Sequence, residues 1–165
     1  MSFIKIHTRL KNNIPDEWAF YSGLGSKVML VKNNNNQIGV LKLSSDAIVS
    51  RLKEIEKYGH TPKVYYYGNG ITILEYIAGT NWKIYLDSHE LTDELAKWYI
   101  IENIKIYNAI GSHGDFVWYN VLVTPNMEIK WIDIGLGNTL EQFINQLYYH
   151  LYKKYSEEYI YSLIG

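Results

Sequence analysis

The chain contains no cysteine, which excludes disulfides, a thiol nucleophile, an iron–sulfur cluster and any cysteine-based zinc site. It has no excess of charge: 16 Lys and Arg against 17 Asp and Glu leave a net charge of −1, so no global field draws it to nucleic acid or a membrane surface. Arginine is scarce, occurring only at Arg9 and Arg51. Long apolar runs are missing, and Met1–Lys11 lacks a signal-peptide core, which points to a soluble, cytoplasmic protein. What is present is an ordinary globular balance, 47% hydrophobic and 20% charged, which excludes a disordered chain. Its 165 residues suffice for one compact domain or two small lobes sharing a cleft.

The first half reads as mostly strand. Phe3–His7 alternates, Glu17–Tyr21 and Lys27–Lys32 are β-rich, and Gln37–Leu43 follows the polar run Asn33–Asn36, a spacing that predicts a hairpin with a solvated loop. Gly68-Asn69-Gly70 separates Val64–Tyr67 from Ile71–Tyr76, a second hairpin signal. Between them a helix is expected over Asp46–Tyr58, with Ile48, Leu52 and Ile55 on one face, ended by Gly59 and kept from resuming by Pro62. The second half reads as mostly helix. An interior helix is expected from Ser88 to Ile110, where Leu91, Leu95, Trp98, Ile101, Ile104 and Ala109 leave little polar face. Val121–Val123 and Ile129–Ile132 are short strands around Pro125-Asn126. Thr139 with Gln142 predicts a capping box for a helix running to Tyr155, with a short helix after it. The boundary between halves falls near Ile77–Thr80.

The sharpest signal is His113-Gly114-Asp115-Phe116-Val117-Trp118-Tyr119-Asn120, followed by Asp133-Ile134-Gly135. At this chain's composition, H-x-D-x-x-x-x-N with a D-x-G at any of ten offsets should arise by chance roughly 4 times in 10,000. Upstream, Gly23-Leu24-Gly25-Ser26-Lys27-Val28 sits at the first hairpin bend. Val40-Leu41-Lys42 ends the third strand with one Lys in an apolar alternation, and Leu74-Glu75-Tyr76-Ile77-Ala78-Gly79 closes the last strand of this half. Taken singly, each of these has a plain reading as a turn, a solvated edge lysine or a strand end.

Their order along the chain resembles the protein-kinase-like fold, and most closely its minimal atypical branches: RIO kinases, the small kinase of the KEOPS complex and aminoglycoside-phosphotransferase-like enzymes. Asp-x-x-x-Tyr-Asn followed by Val-Leu-Val is especially RIO-like. The resemblance covers about residues 17–150. It implies an α+β, bilobal fold: residues 1–77 a small antiparallel-sheet N-lobe with one helix, and residues 78–165 a truncated, mostly helical C-lobe. It further implies ATP and Mg²⁺ as cofactors, with Gly23, Gly25 and Ser26 in the phosphate-covering loop and Lys42 as the strand lysine on the phosphates. Backbone groups of Glu75–Ile77 would pair with adenine, Asp115 would orient or deprotonate the attacking hydroxyl, and Asn120 and Asp133 would hold the metal. Lys42, Asn120 and Asp133 would thus converge on one triphosphate.

Physical chemistry asks for these residue types. Phosphoryl transfer needs positioning and charge neutralisation more than covalent chemistry, Mg²⁺ takes hard oxygen ligands, and a lysine meets phosphates as a flexible point charge. Glycines let backbone N–H groups approach phosphate oxygens. His113 reads as a brace for its loop. A carboxylate partner for Lys42 is expected on the first helix, either Glu54 or Glu56. At about 100° per residue, Ile48, Leu52 and Ile55 fall near 0°, 40° and 340°, Glu56 near 80° and Glu54 near 240°, which favours Glu56. Glu54 then reads as a surface partner of Lys57 or Arg51, worth little.

The departures from the pattern are specific. Gly114 stands where regulated kinases carry arginine, Ile134 replaces Phe, and no A-P-E or activation loop follows Gly135, so activation-loop phosphorylation is not expected and the substrate-gripping subdomain is expected to be absent. The leading expectation is an ATP- and Mg²⁺-dependent phosphotransferase moving the γ-phosphate to a hydroxyl, on a protein Ser/Thr, by autophosphorylation, or to water as an ATPase. The alternatives are a nucleotide-binding pseudokinase or scaffold acting through a protein partner, and a small-molecule kinase. Against the last, the region after the D-x-G offers only Glu141, Glu157 and Glu158 beside Lys153 and Lys154. No basic nucleic-acid stripe is evident. His7, His60, His89 and His150 show no metal-ligand spacing, and His150 beside Lys153 and Lys154 fits a helix-dipole interaction.

Overall fold

Contacts divide the chain into two compact units, Met1–Lys57 with Pro62–Ile77, and Tyr58–Thr61 with Ala78–Gly165; the computed structural model describes residues 3–25 and 27–164. The first unit is built on five antiparallel strands, β1 (Trp18–Gly23), β2 (Val28–Asn33), β3 (Ile38–Leu43), β4 (Val64–Gly68) and β5 (Ile71–Glu75), in the order β1-β2-β3-β5-β4. Period-2 alternation sends Met29, Val31, Leu41, Ile71 and Ile73 to one face, where they are fully buried. The hairpin bends follow from their residues. Asn33 Oδ1 accepts the N–H groups of Asn35 (3.0 Å) and Gln37 (2.9 Å), so the asparagine run folds its own turn. Between β4 and β5, Asn69 (φ 55°) and Gly70 (φ 73°) both take the left-handed conformation that a tight hairpin turn of this kind requires.

That buried face is covered by a helix where a strand was expected. Residues Phe3–Asn12 form α1, whose Ile6 and Leu10 join the cluster of Met29, Val31, Leu41, Ile71 and Ile73. The five-residue window Phe3–His7 is barely longer than one helical turn. The deciding pair, Ile6 and Leu10, is four residues apart and lies on one helical face only if the helix continues past that window. Among the described residues the first unit therefore carries two α-helices rather than one. The second, α2 (Asp46–Ile55), starts on Ser45, whose hydroxyl accepts the Ile48 N–H, and buries Val49, Leu52 and Ile55. It tightens into a 3₁₀ turn over Glu56–Tyr58 before Gly59 (φ 75°).

The second unit contains β6 (Thr80–Asn81), α3 (Trp82–Ser88), α4 (Asp93–Ile110), β7 (Val121–Val123), β8 (Ile129–Trp131), α5 (Leu140–His150) and α6 (Glu157–Ser162). The strands form one antiparallel sheet in chain order. Thr92 Oγ1 caps the N–H of Leu95, and Asp93 and Glu94 fill the first turn, so α4 begins five residues beyond the expected Ser88. The stretch before it folds separately as α3, capped by Asn81. Helix α4 is not interior on every side: its buried stripe is Ala96, Tyr99, Ile100, Asn103, Ile104 and Ile106, while Lys97, Lys105 and Ala109 are exposed. The Thr139–Gln142 capping box forms as predicted, but α5 ends at His150, because Tyr152 (φ 53°) and Lys153 (φ 61°) leave the helical conformation. Among the described residues no helix is long and apolar enough to cross a membrane.

If α1 is the cover of the sheet, Leu10→Ala should cost about 3 kcal/mol in a urea unfolding experiment, within the range for a large buried aliphatic side chain. A loss below about 1 kcal/mol, as for an exposed residue, would contradict the packing.

Candidate active site

In the first unit, Lys42 lies on β3, a central strand and not an edge. Its register partners are Val28 on β2 and Thr72 on β5, and it points away from the face packed under α1. Gly23 ends β1 and Gly25 follows in the bend; Ser26 lies outside the described residues. Among the described residues nothing crowds a side chain at either glycine. A Cβ on Gly23 would meet nothing within 4 Å, and one on Gly25 only a methyl of Val28 at 3.5 Å. His7 Nε2 donates to the Gly25 carbonyl at 3.1 Å, tying the bend to α1.

Glu56 is not in the regular part of α2 but in the 3₁₀ turn, half-buried, with Oε2 accepting the Val64 N–H at 2.8 Å. Glu54 is exposed and acts electrostatically on Arg51, as expected of a surface pair. At the end of β5, the Glu75 N–H is donated to Lys63 O (2.8 Å) and the Tyr76 N–H to Ile38 O (3.3 Å), so these two donors serve the sheet; Ile77 follows as the last residue of the unit.

In the second unit Asp115 and Asn120 share one hydrogen-bonded frame, and Asp133 follows Ile132, another of its members. The Asn120 amide donates to the Asp115 carbonyl (2.9 Å) and to Asp115 Oδ2 (3.2 Å). Ile132 N–H donates to the Asn120 carbonyl (3.0 Å), which brings the residue before Asp133 alongside. The buried His113 closes the frame: its Nδ1 accepts the Asp115 N–H (3.0 Å), its Nε2 donates to Ile132 O (2.8 Å), and its carbonyl accepts the Gly135 N–H (2.9 Å). A backbone N–H can only donate, so the imidazole proton is on Nε2. Asp115 and Asp133 are both exposed, and Asp133 lies at φ 53°, in the left-handed region that aspartate enters more readily than most non-glycine residues.

Gly114 has a structural explanation. It sits at φ 90°, and a Cβ there would come within 2.7 Å of the Gly135 carbonyl oxygen, against backbone that cannot move aside. The Asp115 loop and the Asp133-Ile134-Gly135 turn are in main-chain contact at this point, which leaves no room for arginine.

A buried polar network lies beneath the frame, and sequence reasoning missed it. His150 is no surface cation at a helix end. It is buried, with Nε2 donating to Phe116 O (3.1 Å) and Nδ1 accepting from the Tyr99 hydroxyl (2.6 Å). Burial pushes its imidazole down to about 3 from the ordinary 6.5 and raises the Tyr99 phenol well above 10. One turn on, Asn103 donates to the Tyr99 carbonyl and accepts the Trp131 indole N–H, both at 2.8 Å. The available signal was Asn103 itself, an amide four residues from Tyr99 on the apolar stripe of α4, where a polar group must find a partner.

The RIO domain family model matches residues 2–140. No curated protein matches the chain. With more than half of its length matched, the chain belongs to the RIO-domain family of kinase-like enzymes and has a protein-kinase-like α+β fold.

Two outcomes test this geometry. Gly114→Ala should destabilise the protein by about 2–4 kcal/mol in urea unfolding, the combined cost of a left-handed alanine and a backbone collision; a change under about 0.5 kcal/mol would contradict the close approach. The unfolded His150 takes up a proton near pH 6.5 and the buried one only near 3, so its contribution is full above about 6.5 and lost as the pH falls, at about 1.4 kcal/mol per unit. His150→Phe should therefore remove about 2 kcal/mol of the stability difference between pH 7 and pH 5.

Proposed function

We propose that this RIO-domain chain is an ATP- and Mg²⁺-dependent phosphotransferase that moves the γ-phosphate to a hydroxyl, with a protein Ser/Thr, its own chain or water as acceptor. The observation that carries this reading is the Asn120 amide bonded to both the carbonyl and the carboxylate of Asp115, in a frame whose other end is Ile132-Asp133. This frame holds Asp115 by its N–H, its carbonyl and its carboxylate, more than a polar turn needs in order to close.

The roles follow from the atoms. Asp115 is the group that orients the acceptor hydroxyl and takes its proton. Because Asn120 spends its N–H groups on Asp115, its Oδ1 is the ligating edge, and with the Asp133 carboxylate it offers the hard oxygen donors that Mg²⁺ accepts. Among the described residues no three His, Cys, Asp or Glu side chains cluster as a self-sufficient metal cage; Mg²⁺ sites completed by phosphates need only one or two protein carboxylates. Mg²⁺ bound there would neutralise charge on the transferring phosphoryl group.

In the first unit, Lys42 is the cation for the α- and β-phosphates, and Glu56, oriented by the Val64 N–H, is the carboxylate we assign to it. Gly23 and Gly25 bear no side chain although, among the described residues, only a Val28 methyl at 3.5 Å would touch one, which suits a loop that approaches phosphates, with Ser26 assigned to it as well. The adenine edge falls to the Glu75 carbonyl and the Ile77 N–H, since the Glu75 and Tyr76 N–H groups are committed to the sheet. Residues 1–77 thus serve the nucleotide and 78–165 the chemistry, in a cytoplasmic protein.

The test is Asp115→Ala. ATP affinity in the presence of Mg²⁺ should stay within about twofold of wild type, while γ-phosphate turnover falls by on the order of 10² or more. Equal turnover in the two proteins would overturn the assignment.

A further inference from the structure

Apart from its bond from Asn120, the exposed carboxylate of Asp115 depends for its position on how the main chain on either side is fixed. On the N-terminal side the Asp115 N–H is held by His113 Nδ1. On the C-terminal side the next carbonyl, that of Phe116, accepts from His150 Nε2, thirty-four residues away in sequence. We propose that His150, acting with Tyr99, is a positioning residue for Asp115: it sets the backbone that carries the carboxylate without touching any reacting atom. The inference rests on the catalytic assignment of Asp115 above.

Three observations support it. A carbonyl can only accept, so the His150 proton must be on Nε2; Nδ1 is then an acceptor, and the Tyr99 hydroxyl supplies the matching donor at 2.6 Å. Each ring nitrogen has one role, and turning the ring over breaks both bonds. The ring is also confined. The Phe116 ring lies 4.6 Å away, centroid to centroid, and Tyr99 is stacked on Trp82 at 3.7 Å. Finally, the backbone that carries His150 is pinned in turn, since the Trp82 indole N–H donates to the His150 carbonyl at 2.8 Å. The buried imidazole therefore transmits the position of α3 and α4 to the residue after Asp115. A displacement of a catalytic group by about 1 Å can cost 10²-fold in rate.

A histidine that merely filled the core would give another pattern, and three variants separate the cases. His150→Phe keeps the ring volume and removes both hydrogen bonds. His150→Gln restores an N–H donor toward Phe116 O. Tyr99→Phe removes only the donor to Nδ1 and guards against misfolding of the histidine variants. With Asp115→Ala as control, kcat for ATP turnover, ATP affinity and Tm are measured for each. We expect kcat of His150→Phe to fall about tenfold or more with ATP affinity within twofold, Tyr99→Phe to fall less, and His150→Gln to recover most of kcat whatever its Tm. In wild-type protein labelled with ¹⁵N-histidine, His150 should show the Nε2–H tautomer alone at pH 6. Wild-type kcat in folded His150→Phe, kcat that tracks Tm across the variants, or an Nδ1–H tautomer would each overturn the proposal. Should wild-type turnover not depend on Asp115, the functional reading fails instead, and the tautomer result alone still decides how His150 is bonded.

Discussion

A single imidazole holds the loop from His113 to Asn120 and the Asp133-Ile134-Gly135 turn in one arrangement. His113 accepts a main-chain N–H from Asp115 on one ring nitrogen and donates to the Ile132 carbonyl with the other, while its own carbonyl receives Gly135. Two loops separated by the β7–β8 hairpin are thereby joined through one buried side chain. Buried polar groups are stabilising only when every donor and acceptor is used, and here both ring nitrogens are. The contact at Gly114 is the steric counterpart of this bridge: the loops approach until main chain meets main chain, and the hydrogen bonds fix them at that distance.

The surroundings divide the labour. Beneath the frame, Phe116, Trp131 and Phe143 pack against one another and against His113 and His150. The apolar rings exclude water, which raises the cost of leaving any polar atom unpaired, and Asn103, Tyr99 and Trp82 supply the partners from α4 and α3.

How much of this was legible in the sequence depends on the range of the interaction. Local rules identified the two hairpins of the first unit, the α5 cap at Thr139 and the loop from His113 to Asn120, because each is decided by residues within a few positions of one another. The strand expected at Phe3–His7 failed where the rule was local and the cause was not: α1 is a helix because it covers a sheet that starts at residue 18. Helix α4 starts at Asp93 rather than Ser88 because Thr92 caps it and the Asp93-Glu94 pair sits at its N-terminus, while Ser88 closes α3. His150 was misread for a related reason. Beside Lys153 and Lys154 it resembles a surface cation, and nothing nearby reports that Tyr99 and Phe116 lie against it. Family membership covers residues 2–140 and so stops short of this histidine.

The bond between Trp82 and the His150 carbonyl spans 68 residues, and that separation bears on the order of assembly. Hairpins in the first unit close over a few residues and can form early. The segment from α3 to the end of α5 must be brought into one loop, at a real entropic cost, before the Phe116 carbonyl finds its donor. During synthesis, the strands of the sheet can pair while the loop from His113 to Asn120, already made, still lacks the donor to its Phe116 carbonyl. Closure of this loop's last long-range hydrogen bond is therefore a late event in the chain's maturation, arriving only once residue 150 has docked.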